Sequence, residues 1–146
     1  MIPRYNRPKI ESIWSYENKY KIWTEIECLI AEQLGKLDVI PKKAAKDIRK
    51  KAKFNIKEIE KIEKETKHDV IAFINNVSSY IGDSSKYFHH GVTSSDIIDT
   101  CFSIQLKQTG EILLKQLEVL INELRKKSIK YKNFTMIGRS HGIHAE

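Results

Sequence analysis

Apolar residues recur at helical spacing through most of this 146-residue chain. The first such segment, residues 15–34, has its apolar positions three or four residues apart: Trp23, Ile26, Ile30 and Leu34. This spacing predicts a helix with one buried face, and Gly35 has the place expected of a residue just past its end. A short helix is predicted to follow over residues 41–52, with Pro41 in its first turn. Asn55 then predicts another helix start, with the Glu58 carboxylate placed to reach back to the cap.

The next predicted helix starts beside a histidine. Thr66 and Asp69 have the spacing of a capping box, which predicts that Thr66 caps a helix with His68 and Asp69 in its first turn. Free backbone N–H groups in such a turn favour anions. Gly82 is expected to close this helix. Its apolar positions are Val70, Phe73, Ile74, Val77 and Ile81.

The longest periodic segment runs from about Asp96 to Tyr131, behind a third capping motif that begins at Thr93. One apolar stripe comprises Ile98, Phe102, Leu106, Leu113, Leu117, Leu120 and Leu124, and it is widened by Ile97, Cys101 and Ile104. A helix of about 35 residues would be about 50 Å long, which is too long for a compact small domain. Its broad apolar face needs several partner helices, which we expect from other subunits and from downstream sequence.

Composition places the chain among soluble globular proteins, with 40% hydrophobic and 31% charged residues. No apolar run approaches the ~20 residues of a membrane helix. The polar start of the chain lacks the features of a signal peptide, so a cytoplasmic location is expected. Cys28 and Cys101 have no CxxC partner and are predicted to be buried thiols rather than disulfide or zinc ligands.

The net charge of +7 raises the possibility of a nucleic-acid partner. Lysines outnumber arginines 21 to 5, however, and they are spread over helical faces. Because arginine is the residue favoured for bidentate phosphate and base contacts, the charge is better explained as a solvated basic surface or as an attraction for an anionic nucleotide.

The histidines fall in three segments that also carry hydroxyl residues and, in the last two, glycine: His68, His89, His90, His141 and His144. Imidazole exchanges protons near neutral pH, and polar segments between helices suit anion binding and catalysis. The second segment adds Gly91, Thr93 and Ser94 at a predicted helix start, where N–H and hydroxyl donors could bind phosphate or simply cap the helix. No metal site is predicted, since HExxH is absent and glycines interrupt the last segment.

Four parts of the chain are similar to the adenylosuccinate lyases, a family within the fumarase/aspartase superfamily. They are the N-terminal residues 2–5 and 13–19, T-K-H-D-V-I-A-F at 66–73, H-H-G-V-T-S-S-D-I-I-D-T at 89–100 and G-R-S-H-G-I-H-A-E at 138–146. The similarity spans the chain in order and spacing. Three positions depart from the family pattern: His90 stands where an aromatic residue is expected, Val92 replaces leucine, and Ser140 replaces threonine.

The resemblance implies an all-α protein with an N-terminal helical domain over residues 1–93 and the first long helix of a central helical bundle over residues 94–146. It implies a homotetramer whose active sites combine segments of three subunits. The implied reaction is β-elimination of fumarate from a small-molecule nucleotide, either adenylosuccinate or the succinylated imidazole carboxamide nucleotide (SAICAR). No cofactor, metal, nucleic acid or membrane is implied.

The resemblance also implies roles for individual residues. His141 resembles the general acid that protonates the departing nitrogen, and His68 resembles a second catalytic histidine that helps to place substrate and acid. Arg4, Tyr5 and His89 resemble nucleotide and phosphate contacts. The other substrate contacts implied are Lys67, Asp69, Thr93, Ser94 and Ser140.

The general base of this family is a serine on a flexible loop well beyond residue 146. The chain stops within a polar segment of chemically capable residues, so we expect a truncated protein without lyase activity of its own. Two other interpretations remain open. One is a different lyase of the superfamily, which the Arg4–Tyr5 opening and the 67–69 segment disfavour. The other is a basic helical binding module, which predicts salt-sensitive nucleic-acid binding.

Overall fold

The computed structural model describes residues 2–145. These residues form six α-helices and one short antiparallel sheet. The elements are α1 (Pro8–Ile13), α2 (Tyr16–Lys36), α3 (Lys42–Lys51), α4 (Ile56–Thr66), α5 (Asp69–Ile81), α6 (Ser94–Tyr131), β1 (Gly138–Ser140) and β2 (Ile143–Ala145), with 3-10 turns at Pro3–Tyr5 and Gly82–Tyr87. The predicted all-α class is confirmed, and the two strands are an addition to it. The chain divides into two compact units, Met1–Thr109 and Gly110–Glu146.

The core of the first unit is built from the predicted apolar faces of α2 and α5. Tyr20, Trp23 and Phe73 are almost fully buried, and their rings lie 5.3–5.7 Å apart between centroids. Phe88 joins this cluster from the segment that precedes α6. Edge-to-face and stacked aromatic pairs of this kind add to the free energy gained from burying their surface.

Two helix starts differ from the sequence predictions. Asn55 caps α4 as predicted, but the Glu58 carboxylate does not reach back to it and instead accepts hydrogen bonds from Asn76 and Tyr80. Thr66 is not the cap of α5, because it is the last residue of α4. The cap of α5 is His68, and the chain changes direction between the two helices at a left-handed Lys67 with φ of 54°.

Gly35 lies inside α2 and not beyond its end, which corrects the predicted helix stop. A Cβ atom built on Gly35 would lie 2.9 Å from Cβ of Ala45 on α3. The residue is therefore glycine because α3 approaches the last turn of α2 too closely for a side chain, and helix termination is not its role.

The long helix α6 begins within two residues of the predicted start and ends at the predicted Tyr131. Its buried positions are Ile97, Cys101 and Gln105, so the residues expected to widen the apolar face are the ones that join the core. The main predicted stripe is exposed in this chain: Ile98, Phe102, Leu106, Leu113, Leu117, Leu120 and Leu124. Both cysteines are free and buried, as predicted.

The N-terminal segment is fixed to the first half of α6 by side-chain hydrogen bonds. The indole N–H of Trp14 donates to Thr109 at 3.1 Å, and its ring packs edge-on against Phe102. The amide of Gln105 donates to the carbonyl of Ile13 at 2.8 Å. No helix within residues 2–145 is long and apolar enough to cross a membrane.

In the second unit, β1 and β2 form a hairpin in which Arg139 pairs with His144. The two residues between the strands, His141 and Gly142, both have positive φ values of 50° and 77°. Two-residue hairpin turns of type I′ require positive φ at both central positions. The glycines of this segment, which disfavour a helix, thus suit the tight turn of the hairpin.

Candidate active site

Two candidate site residues of the first unit, Asp69 and His89, contact α2, which presents Lys19, Trp23 and Glu27 at intervals of four residues. Lys19 Nζ lies 3.5 Å from Oδ2 of Asp69 and 4.3 Å from the centre of the Trp23 ring. Glu27 contacts His89. Because eight residues of helix span about 12 Å, one rigid element sets the spacing between the start of α5 and the segment before α6.

His68 is held at the start of α5 by its own cap interaction. The backbone N–H of Ile71 donates to His68 Nδ1 at 3.4 Å, so Nδ1 is the acceptor in this helix cap. Thr66 donates its hydroxyl to the carbonyl of His68 at 3.2 Å. His68 is exposed, and its ring is available to a ligand at the helix N-terminus.

Asp69 follows His68 and has contacts on two sides. Its Oδ1 accepts from the backbone N–H of Val70 at 2.8 Å and lies 3.7 Å from Nδ1 of His68. Its Oδ2 faces Lys19. The neighbouring Lys67 is exposed, and no contact of its ammonium group with these residues is present. His68, Asp69 and Lys19 are therefore brought together, while Lys67 stands apart at the turn.

His89 is bound to a carboxylate that the sequence motifs did not single out. Its Nδ1 lies 2.5 Å from Oε1 of Glu27, and its backbone N–H donates to Oε2 at 3.1 Å. Glu27 is 1% exposed. Burial raises the pKa of the Glu27 carboxyl, and the hydrogen bonds from His89 lower it in opposition.

Thr93 and Ser94 stand at the start of α6, as predicted. The Asp96 carboxylate accepts from the backbone N–H of Thr93 at 2.8 Å, which is the reciprocal half of the predicted capping box. The first N–H groups of any α-helix have no partner within the helix, so this start can donate to an anion. His89 and Gly91, with φ of 61° and 76°, turn the chain towards it.

Arg4 and Tyr5 form a pair at the N-terminus, with the guanidinium 4.7 Å from the centre of the tyrosine ring. Both side chains are exposed. The other residues predicted for the site, Ser140 and His141, belong to the hairpin of the second unit, where they are also exposed. His141 occupies the turn and has a left-handed backbone.

Within residues 2–145, no group of three or more histidine, cysteine or acidic side chains is arranged to hold a metal ion. The first unit carries several donor groups: an exposed imidazole at the start of α5, hydroxyls and amides at the start of α6, and cations at Lys19 and Arg4. Such a set suits an anionic ligand with several oxygen atoms.

Lys19 and Glu27 were missed by motif reasoning. The signal that could have found them is spacing, because both continue the four-residue step of Trp23 on the face of α2 that the apolar pattern assigns to the core. A charged residue at a predicted core position is uncommon unless it has a partner.

Comparison with known proteins identifies the fold and the family. Residues 4–146 match the family model described as lyase. The chain is 45% identical over all 146 residues to the adenylosuccinate lyase of Bacillus subtilis (strain 168), of which it covers 34%. It thus spans about a third of the length of that curated relative.

Two solved structures share the fold. A fumarate lyase from Mesorhizobium sp. BNC1 superposes with a TM-score of 0.83 at 23% identity, over 97% of this chain and 35% of that one. The β-carboxy-cis,cis-muconate cycloisomerase from Acinetobacter calcoaceticus sp. ADP1 gives 0.87 at 22% identity, over 95% and 34%. Since the family model covers nearly every residue and the fold agrees, this chain belongs to the lyase family.

Proposed function

We propose that the whole protein is an adenylosuccinate lyase of purine biosynthesis, with this chain as its N-terminal portion. The observation that carries the proposal is the 45% identity, over the full length of the chain, to the Bacillus subtilis adenylosuccinate lyase. The reaction is elimination of fumarate from adenylosuccinate to give AMP, and from SAICAR to give the imidazole carboxamide nucleotide.

The proposed roles follow the chemistry of that substrate. A base removes the proton beside a succinyl carboxylate, and an acid protonates the nitrogen as the carbon–nitrogen bond breaks. His141 is the acid, since imidazole transfers protons efficiently near neutral pH. His68 places the substrate and the acid. Its position at an exposed helix N-terminus supports a role beside an anionic group.

The remaining proposed contacts divide between the two ends of the substrate. Arg4, Tyr5 and His89 bind the nucleotide and its phosphate, and the donor-rich start of α6 supports this division. The proposed contacts to the rest of the substrate are Lys67, Asp69, Thr93, Ser94 and Ser140. The base is assigned to the part of the relatives' length that this chain does not span.

The whole protein is further proposed to be a cytoplasmic homotetramer with active sites shared between subunits. The exposed apolar stripe of α6 supports assembly, because apolar positions repeated along one helix face are usually covered by other helices. The domain division proposed for it is residues 1–93 and the bundle that begins at residue 94.

A substrate panel on the whole protein tests the proposal. Adenylosuccinate, SAICAR, argininosuccinate and malate would be supplied separately, and the absorbance change of each elimination would be followed. We expect turnover of the first two substrates and none above background for the others. Turnover of argininosuccinate or malate in place of adenylosuccinate would assign the protein to another lyase of the superfamily.

A further inference from the structure

Glu27 is an ionisable side chain buried in the first unit. It is 1% exposed and lies on the face of α2 that also carries Trp23 and Cys28, both of them almost fully buried. An ionised carboxylate in such a place is costly unless it is paired and hydrogen-bonded. Both hydrogen bonds that the structure gives to Glu27 come from one residue, His89.

His89 has a positive backbone φ, and its ring contacts Glu27. Its φ is 61°, in the left-handed region that residues with a Cβ adopt at a cost of about 1 kcal/mol or more. The Glu27 carboxylate holds this conformation by accepting the backbone N–H with one oxygen while the other meets the ring. The side chain of His89 remains 18% exposed, so the ring reaches the surface.

The contact with Glu27 also determines which ring nitrogen of His89 acts as the donor to the carboxylate. A carboxylate beside Nδ1 requires a proton on that nitrogen, which leaves Nε2 on the opposite edge of the ring. With Nδ1 donating to Glu27, the ring has an N–H donor at Nε2 only as the imidazolium, and that donor is charged. Hydrogen bonds between a charged donor and a phosphate are about twice as strong as neutral ones.

We infer that Glu27 is a positioning residue for phosphate recognition, acting through His89: it fixes the backbone and ring of His89 so that Nε2 is presented to the phosphate of the substrate. This inference rests on the proposed function, because a nucleotide phosphate is the anion assigned to His89. A role confined to anchoring the segment before α6 would stabilise the fold without affecting the phosphate.

Glu27→Gln in the whole protein tests the inference. Glutamine has the same shape, but its amide offers one acceptor and one donor, so it cannot accept from both the ring and the backbone N–H of His89. We expect KM for adenylosuccinate to rise roughly tenfold with kcat changed less than about twofold, as for the loss of one charge-assisted contact. The inhibition constant of inorganic phosphate should rise by a similar factor.

Asn76→Ala is the matched control. Asn76 is equally buried and polar, but its partners are Asn55 and Glu58, away from His89. It should lower the melting temperature and leave KM unchanged. A double variant, Glu27→Gln with His89→Ala, should have the KM of His89→Ala alone, since a residue that acts through His89 has no further effect once His89 is gone.

Nitrogen-15 NMR of histidine-labelled protein separates this inference from the proposed function. On addition of inorganic phosphate, the wild type should show both ring nitrogens of His89 protonated, and Glu27→Gln should not. If this difference appears but adenylosuccinate is not cleaved, the proposed function fails and the positioning of His89 stands. If adenylosuccinate is cleaved while Glu27→Gln alters neither the nitrogen signals nor KM, Glu27 is a structural anchor and the inference is overturned.

Discussion

The protonation of Glu27 is coupled to the stability of the fold. Burial raises the pKa of its carboxyl above the ordinary value of 4.5. A group whose pKa is raised on folding contributes stability that is fully present below the unfolded pKa and is lost as the pH rises through the folded one. The contribution of Glu27 to the free energy of unfolding therefore decreases as the pH rises.

A comparison of thermal unfolding for wild type and Glu27→Gln isolates this effect. We expect the melting temperature of the wild type, relative to that of the variant, to fall as the pH rises above the ordinary glutamate range. Carboxylates with lowered pKa values, such as Glu32 beside Arg49, change stability in the opposite direction but are common to both proteins. A difference that does not vary with pH would show that Glu27 titrates as it does in the unfolded chain.

Among the helices, substitution by alanine should have opposite effects on the free energy of unfolding at two glycines. Gly35→Ala places a methyl group 2.9 Å from Cβ of Ala45 and should destabilise the protein by about 1–3 kcal/mol, as overpacked sites do. Gly110, inside α6, has open space around a built Cβ. In the 146-residue chain, where the stripe of α6 is uncovered, Gly110→Ala should stabilise by about 0.5–1 kcal/mol through helix propensity. Chemical denaturation measures both, and equal effects of the two variants would contradict the packing argument.

The spacing of apolar residues predicted where the helices lie. It predicted less accurately the residues at which they begin and end. The elements α2 to α6 follow the predicted segments, because burial of one face every 3.6 residues leaves a direct mark on sequence. Gly35 was misplaced because a close helix contact and a helix stop both favour glycine. Thr66 was misplaced because Thr66 and His68 can each accept an N–H at a helix start, and only tertiary packing decides between them.

Part of the candidate site was also predictable from the sequence, and part was not. The histidine segments were predictable from composition and resemblance, since they place polar groups at helix ends and, in two of the three, beside glycine. The partnership of Glu27 with His89 was not, because the two residues are 62 positions apart and their meeting depends on how α2 packs beneath the segment before α6. The spacing of residues along the sequence does not predict a contact that depends on tertiary packing.

At the scale of the whole molecule, the exposed stripe of α6 is the feature most in need of a partner. Leu117 is 49% exposed and Gln116 beside it is also exposed. Leu117→Asp in the whole protein should reduce the mass measured by sedimentation below that of a tetramer, because a charge would be buried at a helix interface. Gln116→Asp introduces the same charge outside the stripe and should leave the mass unchanged. Equal masses for both variants would contradict assembly through this face.

His141 is the proposed general acid, and kcat of the His141→Ala variant in the whole protein tests that role. His144→Ala is the control, since His144 is an exposed histidine of the same hairpin. With fumarate release from adenylosuccinate by the whole protein followed by absorbance, His141→Ala should lower kcat roughly a hundredfold to ten-thousandfold, the usual contribution of an acid or base. His144→Ala should retain activity. A His141→Ala variant with wild-type kcat would show that His141 is not the general acid.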